Sequence, residues 1–135
     1  MITWQVISEP RATLPLFAMK ISAGPPVTAE DYIDDRIDLS EYLAPHPETS
    51  FLIRAEGESM LDAGIHPGDL LVVEQGVEAR NGDIVIAEVS DGFTVKRFRQ
   101  QRGHLWLVSA NKDFPAPKYE RFAVWGIVRF SIHKL

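Results

Sequence analysis

From Phe51 onward the chain is a succession of short apolar runs cut by turn signals, and that rhythm most narrowly limits what it can fold into. Phe51 to Ala55, Leu70 to Glu74, Asp83 to Val89, Phe93 to Phe98, His104 to Ser109 and Ala123 to His133 read as strands. The punctuation between them is Pro67-Gly68-Asp69, Asn81-Gly82-Asp83, Asp91-Gly92 and Gly103. Asp91-Gly92 is the strongest hairpin signal, because a tight type I′ turn needs positive φ and glycine tolerates it. Six short strands at this spacing specify a mainly β fold, a compact and partly closed β-domain.

Upstream the pattern differs. Residues 1 to 27 hold Pro10, Pro15, Pro25 and Pro26 without a sustained period, so they read as an extended N-terminal arm. Leu14, Leu16, Phe17 and Ile21 are apolar enough to dock on a body. Between Thr28 and Leu43 two short helical turns are expected, one capped by Thr28 with Asp31 three residues on, the other by Asp38 with Glu41. Pro45 and Pro47 close this stretch. A length of 135 residues suits one domain with a hydrophobic core, and no internal repeat or low-complexity segment is found.

Composition narrows the chemistry. Zero cysteines exclude disulfides, thiolate nucleophiles and cysteine-ligated zinc. Of the four histidines, His46, His66, His104 and His133, no two have the close helical spacing of a zinc site, so they read as surface or turn residues with no metal or other cofactor. The net charge of −5 is localised: six acidic residues from Glu30 to Glu41 against Arg36 leave −5 (6 − 1). That run is most simply a solvated face, and its other reading is an acidic docking strip. An acidic chain of pI about 5.3 is poorly suited to direct duplex DNA binding. The basic run Lys96-Arg97-Arg99-Arg102 is the counter-signal; in a strand Arg97 and Arg99 face away from Lys96, as solvated hairpin residues. No apolar run approaches the roughly 20 residues that span a bilayer, and Met1 to Val6 lack signal-peptide character, so a cytoplasmic protein is expected.

Two residues stand in settings that suit chemistry. Ser59 lies in Gly57-Glu58-Ser59-Met60, just after a strand, where a nucleophile is exposed and neighbouring N–H groups can face an oxyanion. Lys96 lies inside Phe93-Thr94-Val95-Lys96-Arg97, on a face shared with Thr94 and Phe98, where partial burial would lower its pKa toward that of a base. Taken singly, each has a simpler reading: Ser59 caps a turn, and Lys96 protects a sheet edge from aggregation. A Ser-His-Asp triad of His66 with Asp62 or Asp69 is weaker still, since Ile65-His66-Pro67-Gly68-Asp69 has the character of a turn.

In order and spacing, Gly57-Glu58-Ser59-Met60, Gly64-Ile65, Gly68-Asp69-Leu70-Leu71-Val72-Val73, Gly82-Asp83-Ile84-Val85 and Gly92-Phe93-Thr94-Val95-Lys96-Arg97 resemble the core of the LexA and UmuD self-cleaving proteins, whose Ser/Lys dyad is also seen in signal peptidases. Pro15-Leu16-Phe17, Ala23-Gly24, Asp31-Tyr32, Arg36-Ile37-Asp38-Leu39 and His46-Pro47 are similar to the UmuD branch. The resemblance implies a LexA/signal-peptidase-like β-domain over 51–135, a linker over 24–50, and an arm over 1–23 removed by self-cleavage. It implies Ser59 as nucleophile, Lys96 as base, the Glu58 and Ser59 amides as oxyanion donors, and Ala23-Gly24 as the scissile bond. It also implies a homodimer, a RecA filament on single-stranded DNA as trigger, and a UmuC-like Y-family polymerase as partner in the SOS response. The alternatives are a non-enzymatic polymerase-binding module with a vestigial dyad, and a fragment of a LexA-like repressor. The latter would need a helix-turn-helix domain ahead of the cleavage site, which 23 residues cannot supply.

Overall fold

The computed structural model describes residues 12–26, 28, 32–90, 92–113 and 118–135. The chain divides into two compact units, Met1–Tyr42 and Leu43–Leu135.

In the first unit, β1 (Leu14–Phe17) pairs antiparallel with β2 (Ile33–Ile37), Leu14 opposite Ile37 and Leu16 opposite Asp35. Within the stretch read as an extended arm, Leu14–Phe17 is a sheet strand, and Pro15 is tolerated because a two-stranded sheet has only edges. The Arg36 side chain ties the pair by donating to the Thr13 hydroxyl (2.9 Å) and the Thr13 carbonyl (3.2 Å). Ile33–Ile37 lies within the stretch read as helical turns, where Ile33 and Ile37 flank three charged residues and strand pairing with β1 prevails. The turn expected after Thr28 falls largely outside the described residues. Asp38 does cap α1 (Leu39–Leu43): its Oδ1 accepts the N–H of Ser40 at 3.0 Å and of Glu41 at 3.3 Å.

The second unit contains all six strands read from Phe51 onward: β3 (Ser50–Arg54), β4 (Leu70–Glu74), β5 (Ile84–Val89), β6 (Gly92–Gln101), β7 (His104–Val108) and β8 (Ala123–Ile132). They form an open antiparallel sheet in the order β3-β4-β8-β5-β6-β7, so the last strand closes the middle. Val89 pairs with Gly92, which makes Gly92 (φ 127°) the first residue of β6 rather than the second turn position. Asp91 lies outside the described residues.

Two buried clusters form the core. Met60, Ile65, Leu71, Val73 and Ile86 belong to one, and Val85, Ala87, Phe98, Leu107 and Ile127 to the other. Alternation along β5 explains the pair of clusters: Val85 and Ala87 serve one face while Ile86 serves the other. The central strand bends at two bulges. Val72 pairs with Phe130 but Val73 with Val128, leaving Arg129 extra; Ile86 pairs with Gly126 but Ala87 with Val124, leaving Trp125 extra. Gly126 is required between them, because a Cβ there would come within 2.6 Å of Val73 Cγ1. No helix among the described residues is long and apolar enough to cross a membrane.

Candidate active site

The segment after β3 is a tight turn with a fixed anchor. Gly57 takes φ 79°, and a 3-10 turn over Leu61–Ala63 ends at Gly64 (φ 82°). Met60, 3% exposed, plants this turn in the core, and its carbonyl accepts the N–H of Ala63 (3.0 Å) and Ile65 (3.2 Å). The segment following β7 clamps the other side. Ala110 N–H donates to the Ser59 carbonyl (2.8 Å), Asp62 N–H to the Ala110 carbonyl (2.6 Å), and Lys112 N–H to Asp62 Oδ2 (2.8 Å). Asn111, a buried amide, donates from Nδ2 to the Glu58 carbonyl at 2.6 Å. The Glu58 and Ser59 carbonyls are thus occupied, whereas among the described residues neither of their N–H groups has an acceptor.

Lys96 reaches this turn from β6, where it stands opposite Val85. Its Nζ donates to Ser59 Oγ at 3.0 Å. Lys96 is 6% exposed, and burial pushes its pKa below the ordinary lysine value. Among the described residues no carboxylate pairs with it, so no charge offsets the desolvation. The strand face shared with Phe98 thus delivers the lysine to the serine, and a long-range fold contact joins two residues whose local settings gave no such link.

A cleft of about 540 Å³ opens beside Ser59. Ile53, Met60, Ile86, Val95 and Trp125 give it apolar walls, and Arg54, Glu56 and Thr94 add polar groups. The bulge at Trp125 matters here: the indole packs against Phe51 (centroids 5.4 Å apart) and edge-on against Phe93 (6.5 Å). Such a cleft suits an extended, weakly polar peptide segment, with the Ser59 hydroxyl on its wall.

Ala23 and Gly24 belong to the first unit, on an exposed bend where Gly24 N–H donates to Ser22 Oγ at 3.0 Å. His66 is placed otherwise: its backbone N–H donates to Asp69 Oδ2 (2.8 Å) and its ring stacks on His133 at 4.4 Å. Asp62 is bound to Lys112, so neither takes a triad's place in the described contacts. His104 stacks on Trp106 at 5.0 Å. Sequence reasoning missed Asn111 and the convergence of His66 and His133 on Asp69. Nothing in Ala110-Asn111-Lys112 signals a turn clamp, and 64 positions separate Asp69 from His133.

The peptidase S24-like family model matches residues 15–129. The chain is similar to Protein SamA of Salmonella typhimurium, 40% identical over 124 residues that cover 92% of this chain and 88% of that protein. Protein ImpA of Escherichia coli is 42% identical over 121 residues, 89% of this chain and 83% of its own. The LexA repressor of Pseudomonas chlororaphis is 39% identical over 103 residues, 76% of this chain and half of the repressor.

Proposed function

This chain belongs to the peptidase S24-like family, and we propose that it is a self-cleaving serine peptidase that serves as an accessory subunit of an error-prone translesion DNA polymerase in the SOS response. The observation that carries the reading is the 3.0 Å contact between Ser59 Oγ and the Nζ of a buried Lys96. A lysine works as a general base only when neutral, and desolvation favours that form.

The steps follow from that pair. Neutral Lys96 takes the Ser59 proton as Oγ attacks the Ala23 carbonyl carbon, and the Glu58 and Ser59 N–H groups hold the oxyanion. Collapse breaks the Ala23–Gly24 C–N bond, and the Lys96 ammonium returns its proton to the Gly24 nitrogen. Water, deprotonated by Lys96, then hydrolyses the ester and releases residues 1–23. A small residue at 23 suits a shallow pocket, and Gly24 permits a sharp backbone turn.

Cleavage is held back until the Ala23-Gly24 segment occupies a cleft, its own or that of a second copy. A RecA filament on single-stranded DNA favours the engaged state by binding it more tightly. The fragment 24–135, as a homodimer, then meets a UmuC-like Y-family polymerase. The similarity to SamA and ImpA over most of each chain supports this branch. N-terminal sequencing after incubation with activated RecA tests the bond: the new terminus is Gly24. A product beginning elsewhere relocates the site and removes Ala23-Gly24 from the account.

A further inference from the structure

We propose that His66, Asp69 and His133 form a binding site for a divalent transition-metal cation, with zinc the best fit. Leu70 pairs with Ile132, so the residues just beyond that pair, Asp69 and His133, meet at the end of the sheet, and the 66–69 turn brings His66 to the same point. Three side-chain ligand atoms lie within 4.8 Å of one another, the one such cluster of His, Asp or Glu among the described residues.

Asp69 is oriented before any ligand arrives. It is 2% exposed, its Oδ2 accepts from His66 N–H (2.8 Å) and the Ser131 hydroxyl (2.9 Å), and its Oδ1 lies 2.7 Å from His133 Nδ1. These bonds fix the carboxylate plane at the end of the sheet. Outer hydrogen bonds of this kind fix ligating carboxylates in metal sites. Both imidazoles are about half exposed and stacked at 4.4 Å, open to a cation from solvent.

Metal–nitrogen bonds of about 2.0–2.1 Å in a tetrahedral site put neighbouring ligand atoms about 3.3 Å apart. The His66 Nδ1 to Asp69 Oδ2 distance is 3.6 Å and the His133 contact 2.7 Å, so small rotations of two exposed rings suffice. Coordination through His133 Nδ1 requires its proton to move to Nε2 or to solvent. Two imidazoles select a borderline transition metal over magnesium or calcium, and three protein ligands leave a fourth position for water. The site bears on the cleft wall: the Asp69 carbonyl accepts the Ala55 N–H at 2.8 Å, and Ala55 lines the cleft.

Calorimetric titration of the full chain with zinc chloride, after chelator treatment, tests the site. The expected result is saturation at one equivalent with Kd of about 10 μM or tighter. His66→Ala and His133→Ala should each weaken it at least about tenfold, His133→Cys should restore it, and His104→Ala should leave it unchanged. Cobalt(II) should give visible absorption that both alanine variants lose. Circular dichroism confirms that the exposed-histidine variants remain folded. No saturable uptake up to about 1 mM, or uptake that survives both alanine changes, overturns the proposal and leaves an ordinary His133–Asp69 hydrogen bond.

Discussion

Ser59 and Lys96 stand 37 positions apart in the chain and 3.0 Å apart at their side-chain tips. The contact needs two structures at once: a turn rooted in the core by Met60, and a strand that carries a lysine into an interior otherwise filled by Val85 and Phe98. A buried ammonium costs stability, and its retention here fits the proposed work of a base.

Cleavage should accelerate as pH rises. The neutral form of Lys96 is the reactive one, and because its pKa is lowered by burial, the gain should begin below the ordinary lysine range of about 10.4 and level off once the amine is neutral. Initial rates from neutral to alkaline pH measure this. A flat profile contradicts a lysine base.

Lys96→Met should raise the urea midpoint near neutral pH. A lysine whose folded pKa lies below its unfolded value binds fewer protons when folded, so wild-type stability climbs as pH rises between the two values. The advantage of the apolar variant should therefore shrink toward about pH 10. A gap of constant size across that range contradicts the burial argument.

Asn111→Ala should slow cleavage about tenfold while costing about 1 kcal/mol of stability. The amide holds the Glu58 carbonyl at 2.6 Å, and without it the turn presenting Ser59 loses a clamp but Lys96 keeps its surroundings. The shape of the pH profile should be retained. A variant as fast as wild type removes Asn111 from the positioning role.

The strands of the second unit were legible because their signals are local: short β-rich runs, most of them bounded by glycine or proline turns. Asp38 was legible for the same reason, a cap acting on the next three residues. The pairing of Leu14–Phe17 with Ile33–Ile37 was not, since prolines mask the strand and its partner lies in a charged stretch. The bulges at Trp125 and Arg129 depend on register against neighbours, which no run of β8 encodes alone. Ser59 and Lys96 were visible as candidates from their settings and from a family resemblance, yet their contact, the Asn111 clamp and the meeting of His66 with His133 are products of tertiary folding.

The most direct measurement is mass spectrometry of wild type, Ser59→Ala and Lys96→Ala after equal incubation with activated RecA filaments, with circular dichroism to show that all three are folded. Wild type should be converted to residues 24–135 and both variants should stay intact. Processing of either folded variant at the wild-type rate, or a wild type that stays whole, would contradict it.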